Sequence, residues 1–389
     1  MTQKMTVPLL DLKAQYTPIK DEIDEAVLRI VERQGFVLGP EVDALERRLA
    51  EYCQAQYAVG CASGSDAIIL ALLAHRIGPG DEVICPSFTF YATAGSIAVL
   101  GAVPVFVDID PVTFIMDPML VRERARDCSR LRAIMPVHLY GRCADMQAYV
   151  DIGAQLRVPI IEDAAQAIGA RDAQGAPAGS RGSIGCFSFY PTKNLGGIGD
   201  GGLVTTSDRP IAERLRKLRV HGERKRYYHD LIGFNSRLDA IQAAVLNAKL
   251  RHLDGWSTKR RENAAHYDAA FADSAPQIRT PQPSMGMAAH IYHQYVIRVP
   301  APLRDELRSH LRDEGIGTEV YYPVPLHRQE CFEHLGYSAG DLPESEKASA
   351  EVIALPIYPE LTPDQLDHVA STIITFIESH AAAHPTPAS

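Results

Sequence analysis

Short apolar runs alternate with longer amphipathic stretches through the first half of the chain. Runs typical of buried strands lie at residues 58–61, 82–85, 103–107, 133–137 and 159–162. Helical periodicity follows the first two of them, over residues 66–75 and 92–100. Strands that alternate with helices predict an α/β fold, in which a parallel sheet is covered on both faces. Because ligands of such sheets bind at the carboxyl ends of the strands, the residues after each run are the first candidates for a site.

The pattern changes on either side of this alternating region. Residues 19–53 predict helix with a break at 34–40, and residues 186–190 and 202–206 predict two strands around a glycine-rich turn. Further predicted elements are helices over residues 236–272, 302–314 and 362–379 and strands over residues 292–299 and 317–322. We therefore predict a large domain over residues 1–255, a smaller α+β domain over residues 256–380 and a disordered tail over residues 381–389.

The composition narrows the classes of function. The chain has 389 residues and a formal net charge of −9, which argues against general nucleic-acid binding, for which a basic footprint is expected. Basic residues nevertheless cluster in residues 209–229. That segment is either a solvated basic helix or a rim that attracts an anionic substrate such as a nucleotide diphosphate. The sequence leaves both interpretations open.

Cysteines and apolar segments exclude further classes. The seven cysteines are scattered and have no C-x-x-C spacing, so the sequence predicts neither a metal site nor a disulfide framework. Residues 1–11 contain no apolar segment of the signal-peptide kind, and no apolar run is long enough to span a membrane. We expect a cytoplasmic protein without a membrane partner.

One lysine and one aspartate carry the most informative chemistry. Lys193 lies in the glycine-rich turn, and Asp163 ends the apolar run before it. A lysine amine can form a Schiff base with the aldehyde of pyridoxal 5'-phosphate, and a carboxylate can pair with the pyridine nitrogen of that cofactor. Asp163 alone could equally cap the next helix. Glu162 is a competitor, but neighbouring strand positions point to opposite faces, so we assign the pairing to Asp163.

Two glycine-containing turns give weaker signals. Gly64 lets the backbone bend between a predicted strand and helix, and Ser65 and Asp66 open that helix with unpaired N–H groups. This is a potential site for the cofactor phosphate, although Ser65 or Asp66 could simply be the N-cap. Residues 197–202 match G-x-G-x-x-G, but a predicted strand follows them where a dinucleotide site requires a helix. We therefore reject NAD binding.

Aromatic residues and histidines near strand ends are ambiguous without further context. Phe90 follows a predicted strand and could pack in the core or stack on a ring. His138 is at least as compatible with a structural role as with a catalytic one. Tyr321, Tyr322 and His327 lie in one short segment that could line a substrate pocket or pack internally.

Taken together, these segments resemble the sugar aminotransferase family called DegT/DnrJ/EryC1/StrS, within the fold type I pyridoxal phosphate enzymes. The resemblance runs from residues 8–12 to residues 354–359, and its most specific pieces are residues 162–166, 188–202 and 233–239. It implies a large, mostly parallel sheet domain of seven-stranded type with a smaller C-terminal α+β domain. One departure is the phosphate turn, which reads Ser-Gly-Ser-Asp-Ala where Asn-Gly-Thr is common.

The resemblance also implies a role for each matching residue. Lys193 would be the Schiff-base lysine and proton shuttle, and Asp163 the partner of the pyridine nitrogen. The other cofactor contacts would be Gln166 beside the ring, Phe90 stacked on it, and Ser188, Gly64, Ser65 and Asp66 around its phosphate. Asn235 would reach the phosphate of the cofactor in the other subunit, which implies a homodimer with shared active sites. The family contacts its sugar nucleotide at the positions of Arg237, Tyr321 and Tyr322.

The implied reaction is the transfer of an amino group from L-glutamate, through pyridoxamine 5'-phosphate, to a keto sugar linked to a nucleotide diphosphate. A 3-keto sugar carried on dTDP or UDP is favoured, for amino-sugar and surface-polysaccharide biosynthesis. The alternatives are a 4-keto sugar, a pyridoxamine-dependent sugar dehydratase, and a non-catalytic regulatory homologue. Dehydratases of this family carry histidine in place of the lysine, so Lys193 argues against that alternative.

Overall fold

The computed structural model describes residues 5–272, 277–282 and 289–383, whose helices and strands largely follow the predicted order. The α-helices are α1 (Leu12–Tyr16), α2 (Lys20–Arg33), α3 (Pro40–Tyr52), α4 (Gly64–Ala74), α5 (Ala92–Val99), α6 (Pro118–Arg124), α7 (Met146–Leu156), α8 (Arg209–Leu218), α9 (Ala240–Lys249), α10 (Leu253–Ala272), α11 (Ala301–Asp313), α12 (Pro343–Glu351) and α13 (Pro363–Ala383). The strands are β1 (Tyr57–Cys61), β2 (Glu82–Pro86), β3 (Val103–Val107), β4 (Leu131–Ile134), β5 (Ile161–Asp163), β6 (Ile184–Ser188), β7 (Gly202–Thr206), β8 (Glu223–Lys225), β9 (Tyr228–His229), β10 (Tyr295–Arg298) and β11 (Val352–Leu355).

A mixed sheet forms the centre of the large domain. A four-stranded group, β1-β7-β6-β5, and a three-stranded group, β3-β2-β4, are joined by parallel bridges from Ile134 to Ile160 and from Val137 to Asp163. The result is one seven-stranded sheet in which β7 runs antiparallel to both of its neighbours and the other pairings are parallel. The predicted α/β fold is therefore confirmed.

Alternate residues of each strand are buried on opposite faces of the sheet. Val83 and Cys85 of β2 pack with α4 and α5, whereas Ile84 between them packs with residues of α6 and α7 on the other face. Similarly, Cys186 of β6 faces the α4 side and Phe187 faces residues of α3 and α9. Burial on both faces explains why these strands appear in the sequence as continuous apolar runs.

A second apolar core lies in the C-terminal part of the chain. Side chains from α10, α11, α13, β10 and β11 pack in it, together with Val7 near the N-terminus. Val7 bridges to Ile316, so the first described residues contact this second core although the sequence assigns them to the large domain. The predicted boundary near residue 255 stays a prediction.

Three predicted elements differ from the structure. Residues 317–322 do not form a strand, and among them only Glu319 forms a bridge, to Ala354 of β11. The sequence analysis did not predict β11, a short strand that directly follows α12. The helix predicted over residues 236–272 is divided between α9 and α10. In the tail predicted to be disordered, residues 381–383 belong to α13, and residues 384–389 lie outside the described residues.

Candidate active site

A cavity of about 650 Å³ opens at the edge of the sheet where the parallel strands end. Its lining includes residues that follow β1, β2 and β4, the last residues of β5 and β6, and the residues just before β7. Those residues are Ser63, Gly64, Ser65, Thr89, Phe90, Val137, Asp163, Ser188, Asp200 and Gly201. Strand order alone therefore brings together side chains that are far apart in the sequence, as expected for an open α/β sheet.

Asp163 and Glu162 are adjacent acids with opposite surroundings. The Asp163 carboxylate lines the cavity and accepts hydrogen bonds from the Thr93 hydroxyl at 2.7 Å and the Ala165 N–H at 3.2 Å. Burial raises the pKa of Asp163, while both hydrogen bonds and the charge of Lys193 act to lower it. The Glu162 carboxylate instead lies on the other side of the strand, where it accepts a hydrogen bond from His138 Nε2 at 2.8 Å.

Glu162 and His138 form a structural pair. The Ala144 N–H donates to His138 Nδ1, so the proton of the neutral ring is on Nε2, which donates to Glu162. The same carboxylate accepts the N–H groups of Gly179 at 2.7 Å and Arg181 at 2.9 Å. Glu162 therefore fixes the loop before β6, and His138 is buried away from the cavity lining.

A network of backbone and side-chain hydrogen bonds holds the turn that carries Lys193. Its own N–H donates to the Tyr190 carbonyl at 2.8 Å. From α9, Gln242 accepts the Ile198 N–H at 2.8 Å and Lys249 donates to the Gly196 carbonyl at 2.8 Å. A rigid turn between two strands therefore presents the lysine side chain to the cavity, and the strand that follows this turn is β7 rather than a helix.

The Lys193 amine is prepared for nucleophilic chemistry by its surroundings. Burial lowers the pKa of Lys193 to about 8, and the negative charge of Asp163 acts in the opposite direction. About a tenth of the amine is therefore neutral at pH 7, far more than for an ordinary lysine, and the neutral form is the one that a nucleophile or a general base requires.

We expect the cofactor-free protein to capture an aryl aldehyde at Lys193 with a rate that rises through about pH 8 and then levels off. Asp163→Asn should move this midpoint to lower pH, because it removes the charge that favours the ammonium form. Borohydride trapping followed by peptide mass spectrometry measures the rate at each lysine. A free lysine derivative in the same mixture provides the reference, with an unperturbed pKa of about 10.4. A Lys193 midpoint equal to that of the free lysine would contradict this assignment.

The start of α4 offers donors for an anion. Ser63, not Ser65 or Asp66, is the N-cap: its hydroxyl accepts the Asp66 N–H at 3.0 Å. This leaves the N–H groups of Gly64 and Ser65 without helical partners at the cavity wall. A Cβ atom on Gly64 would come within 2.6 Å of the Ser188 Cβ, so glycine is required for the close approach of these two segments.

Asp66 lies beside this anion site but does not line the cavity. Its carboxylate accepts a hydrogen bond from the Ser236 hydroxyl at 2.7 Å. A carboxylate directed at a phosphate would repel it. Asp66 therefore binds Ser236 at the start of α4, whereas the sequence suggested a direct contact with the phosphate.

One wall of the cavity is aromatic and polar. Phe90 exposes 57% of its surface, and its ring centroid lies 6.1 Å from that of Tyr322. Gln166 is oriented by the Tyr140 N–H, which donates to its Oε1 at 2.7 Å, so that its Nε2 donates to the Tyr322 hydroxyl at 3.0 Å. Tyr321 also lines the cavity. The Tyr322 hydroxyl, already an acceptor for Gln166, keeps its own proton available to donate.

Besides Asp66, three residues proposed from the sequence lie outside the cavity lining. His327 is fully buried between the Ser87 hydroxyl, 2.6 Å from its Nδ1, and Glu346, 3.0 Å from its Nε2. It therefore joins two segments of the protein and is not directed at a substrate. Asn235 is exposed and Arg237 is partly buried, and neither contributes to the cavity of its own chain.

The structure also adds residues that the sequence did not suggest. His293 lines the cavity, and its Nδ1 lies 3.0 Å from the Oδ1 of Asn194, the residue after Lys193. Burial and then the charge of Lys193 hold the pKa of His293 well below its usual range, so the ring is neutral. Because His293 lies in the C-terminal half of the chain, only tertiary structure brings it to the lysine turn.

Within the described ranges, no group of acidic, histidine or cysteine side chains could hold a metal ion. In the same part of the chain, no helix combines the length and apolarity that crossing a bilayer requires.

Comparisons with known proteins agree with this architecture. The "Pleiotropic regulatory protein" of Geobacillus stearothermophilus is 48% identical over 97% of this chain and all of its own length. The UDP-N-acetyl-3-dehydro-alpha-D-glucosamine 3-aminotransferase of Acidithiobacillus ferrooxidans is 42% identical over 96% of this chain and 98% of its own.

Solved structures are similarly close. S. venezuelae DesV, crystallised in complex with a ketimine intermediate, is 43% identical, with a TM-score of 0.92 over 96% of this chain and 99% of its own. The ntda protein of Bacillus subtilis, with bound cofactor pmp, is 31% identical, with a TM-score of 0.90 over 97% of this chain and 86% of its own. A model of the DegT/DnrJ/EryC1/StrS aminotransferase family matches residues 17–374. The chain therefore belongs to the DegT/DnrJ/EryC1/StrS aminotransferase family.

Proposed function

We propose that this protein is a pyridoxal 5'-phosphate-dependent aminotransferase that transfers the amino group of L-glutamate to a 3-keto sugar linked to a nucleotide diphosphate. The observation that carries the proposal is the convergence of Lys193, Asp163 and the free N–H groups of α4 on one cavity. These are the amine, the acid and the anion site that the cofactor needs.

The lining of the cavity fits this cofactor. The N–H groups of Gly64 and Ser65 and the Ser188 hydroxyl would hold the phosphate, and Asp163 would face the ring nitrogen. Phe90 would pack on the ring face, with Gln166 at its edge. Bound pyridoxal phosphate supplies an electron sink that stabilises negative charge on the carbon that loses a proton.

The side chains of the protein then supply proton transfer and orientation. Lys193 would bind the cofactor aldehyde at rest and, as a free amine, would move a proton between the cofactor carbon and the substrate carbon. Its pKa of about 8 is suited to this exchange near neutral pH. Proton transfer by such a group typically accelerates a reaction by about 10²–10⁴-fold. The Tyr322 hydroxyl would donate a hydrogen bond to the substrate, and the aromatic wall would exclude water.

The names of similar proteins support the substrate class. The name of the Acidithiobacillus relative includes a UDP-linked 3-dehydro sugar. The basic segment that includes α8 also suits a diphosphate, because Arg224 and the neighbouring cations at 225 and 226 are largely exposed on the β8–β9 hairpin. We place the reaction in amino-sugar synthesis for surface polysaccharide, in the cytoplasm, as the scattered cysteines favour.

A regulatory role without catalysis is the competing function, since the Geobacillus relative is named as a regulatory protein. The intact Lys193–Asp163 pair favours catalysis here. Burial of an amine and an acid destabilises the folded protein, and a regulatory protein without catalysis gains nothing from that arrangement.

Visible absorbance of the purified protein, before and after excess L-glutamate, tests the proposed function. A yellow protein that bleaches with glutamate supports the cofactor, the lysine linkage and the donor together. Recovery of the colour with UDP- or dTDP-linked 3-keto sugars, and not with 4-keto isomers, supports the acceptor. A protein that stays colourless after incubation with the cofactor would overturn the proposal.

We further propose a homodimer with shared active sites, supported by Asn235, which is exposed and outside the cavity of its own chain. A mixed dimer of a Lys193→Ala chain and an Asn235→Asp chain should then keep about half of the wild-type activity, because one site has both residues intact. Two affinity tags isolate the mixed dimer. The matched control pairs a wild-type chain with a chain that carries both substitutions, and should be nearly inactive. The reverse pattern would show that each chain completes its own site.

A further inference from the structure

A buried hydroxyl on α5 contacts the acid that faces the cavity. Thr93 is 1% exposed, and its Oγ1 lies 2.7 Å from the Oδ2 atom of Asp163. Thr93 itself does not line the cavity, so it reaches any bound molecule only through Asp163. In the first turn of a helix a threonine hydroxyl usually serves a backbone group, whereas here it serves a carboxylate on a neighbouring strand.

The direction of this hydrogen bond follows from the partners. An ionised carboxylate only accepts, so Thr93 must donate its hydroxyl proton to Asp163. Thr89 Oγ1 lies 3.2 Å from Thr93 Oγ1, and it is then the donor of that pair. The two threonines form a short chain of hydroxyls that ends on the carboxylate, and successive hydrogen bonds of this kind strengthen one another.

We propose that Thr93 is a positioning residue that fixes the Oδ2 atom of Asp163 and keeps the carboxylate ionised, so that it can pair with a protonated ring nitrogen. The inference rests on the proposed function, because it assumes that the pyridine ring of the cofactor meets Asp163. Without the Thr93 hydroxyl, Oδ2 would lose a charge-assisted donor inside an apolar site, and the acid would hold its proton to higher pH.

Other groups also influence Asp163. The titratable groups that interact with it are Lys193, His138, Tyr322, Cys85 and Cys186. Lys193 favours the ionised acid by its charge, whereas the neutral His138 ring is directed at Glu162. Burial raises the pKa values of Tyr322, Cys85 and Cys186, so these three groups stay neutral near pH 7. None of the five changes when Thr93 is replaced, so a shift in the titration of Asp163 can be attributed to the hydroxyl.

Binding of pyridoxamine 5'-phosphate to the cofactor-free protein isolates this contact, because no covalent bond to Lys193 forms. We expect Thr93→Val, which has nearly the same shape, to bind about tenfold more weakly than wild type near pH 7. The acid limb of its binding curve should move upward by about one pH unit. Thr93→Ser retains the hydroxyl and should stay within about twofold of wild type. Thr93→Ala provides a second deletion if the valine variant does not fold.

An analogue with carbon in place of the ring nitrogen separates positioning from a general structural effect. It cannot pair with Asp163, so wild type and Thr93→Val should bind it equally. Equal binding of pyridoxamine 5'-phosphate by wild type and Thr93→Val across the pH range would overturn the inference, as would an equal loss for the analogue. Failure of the wild-type protein to bind pyridoxamine 5'-phosphate would instead overturn the proposed function, and this inference with it.

Discussion

Lys193→Ala is expected to abolish amino transfer, with a loss of more than about 10³-fold, while the protein remains folded. The loss is large because one amine serves both as the covalent attachment and as the base that moves the proton. Folding should survive because the side chain projects into the cavity and burial disfavours its charged form. Without the lysine, Asp163 loses a favourable charge but keeps its hydrogen bonds from Thr93 and Ala165.

The measurement is single-turnover transfer from L-glutamate, together with thermal unfolding of the same samples. Lys193→Arg keeps a cation but cannot bind the aldehyde, so it should be as inactive as the alanine variant. Lys259→Ala, at an exposed lysine paired with Glu262, should be unchanged in both measurements. Substantial transfer by Lys193→Ala would mean that another group performs the chemistry, and the proposed function would have to be abandoned.

The sheet was predictable because both of its faces are buried. The stretches of β2, β3 and β4 that are covered on both sides are apolar and therefore stand out in the sequence. The C-terminal region was harder to predict, since its pairings are short and depend on contacts between distant segments. Residues 317–322 have strand-like composition, yet only Glu319 finds a partner, on β11. The β-propensity of a segment does not indicate whether another strand is available to pair with it.

In the candidate site, too, local patterns were predictable and contacts between distant segments were not. Alternation along β5 was enough to assign Asp163 to the cavity and Glu162 to the opposite face, and the structure has this arrangement. The residues that support Asp163 and the lysine turn were not predictable. Thr93 and His293 lie in other elements, and their partners become visible only when those elements pack together. His327 is the opposite case, a residue that local sequence suggested and tertiary contacts exclude. Its position in an aromatic segment suggested a substrate contact, but the side chain is buried and hydrogen-bonded to Ser87.

Asp163→Asn is expected to lower the rate of amino transfer by about 10²–10⁴-fold with little change in thermal stability. The amide has the same shape as the carboxylate, but it cannot stabilise a protonated ring nitrogen, so the electron sink is lost. Stability should be nearly unaffected, because Asp163 is an acid whose pKa burial raises, and a neutral side chain removes that desolvation cost. Stopped-flow absorbance during the glutamate half-reaction measures the rate, and calorimetry measures the stability.

Glu162→Gln is the matched control, at the neighbouring position on the other face of β5. Its carboxylate holds His138 and the N–H groups of Gly179 and Arg181, so the amide should destabilise the protein by about 3 kcal/mol. Transfer per folded molecule should stay within about threefold of wild type, since Glu162 does not line the cavity. The two substitutions are therefore expected to have different effects: Asp163→Asn lowers the rate of amino transfer, and Glu162→Gln lowers the stability of the protein. If Glu162→Gln instead lost transfer while Asp163→Asn retained it, the assignment of the two faces of β5 would be wrong.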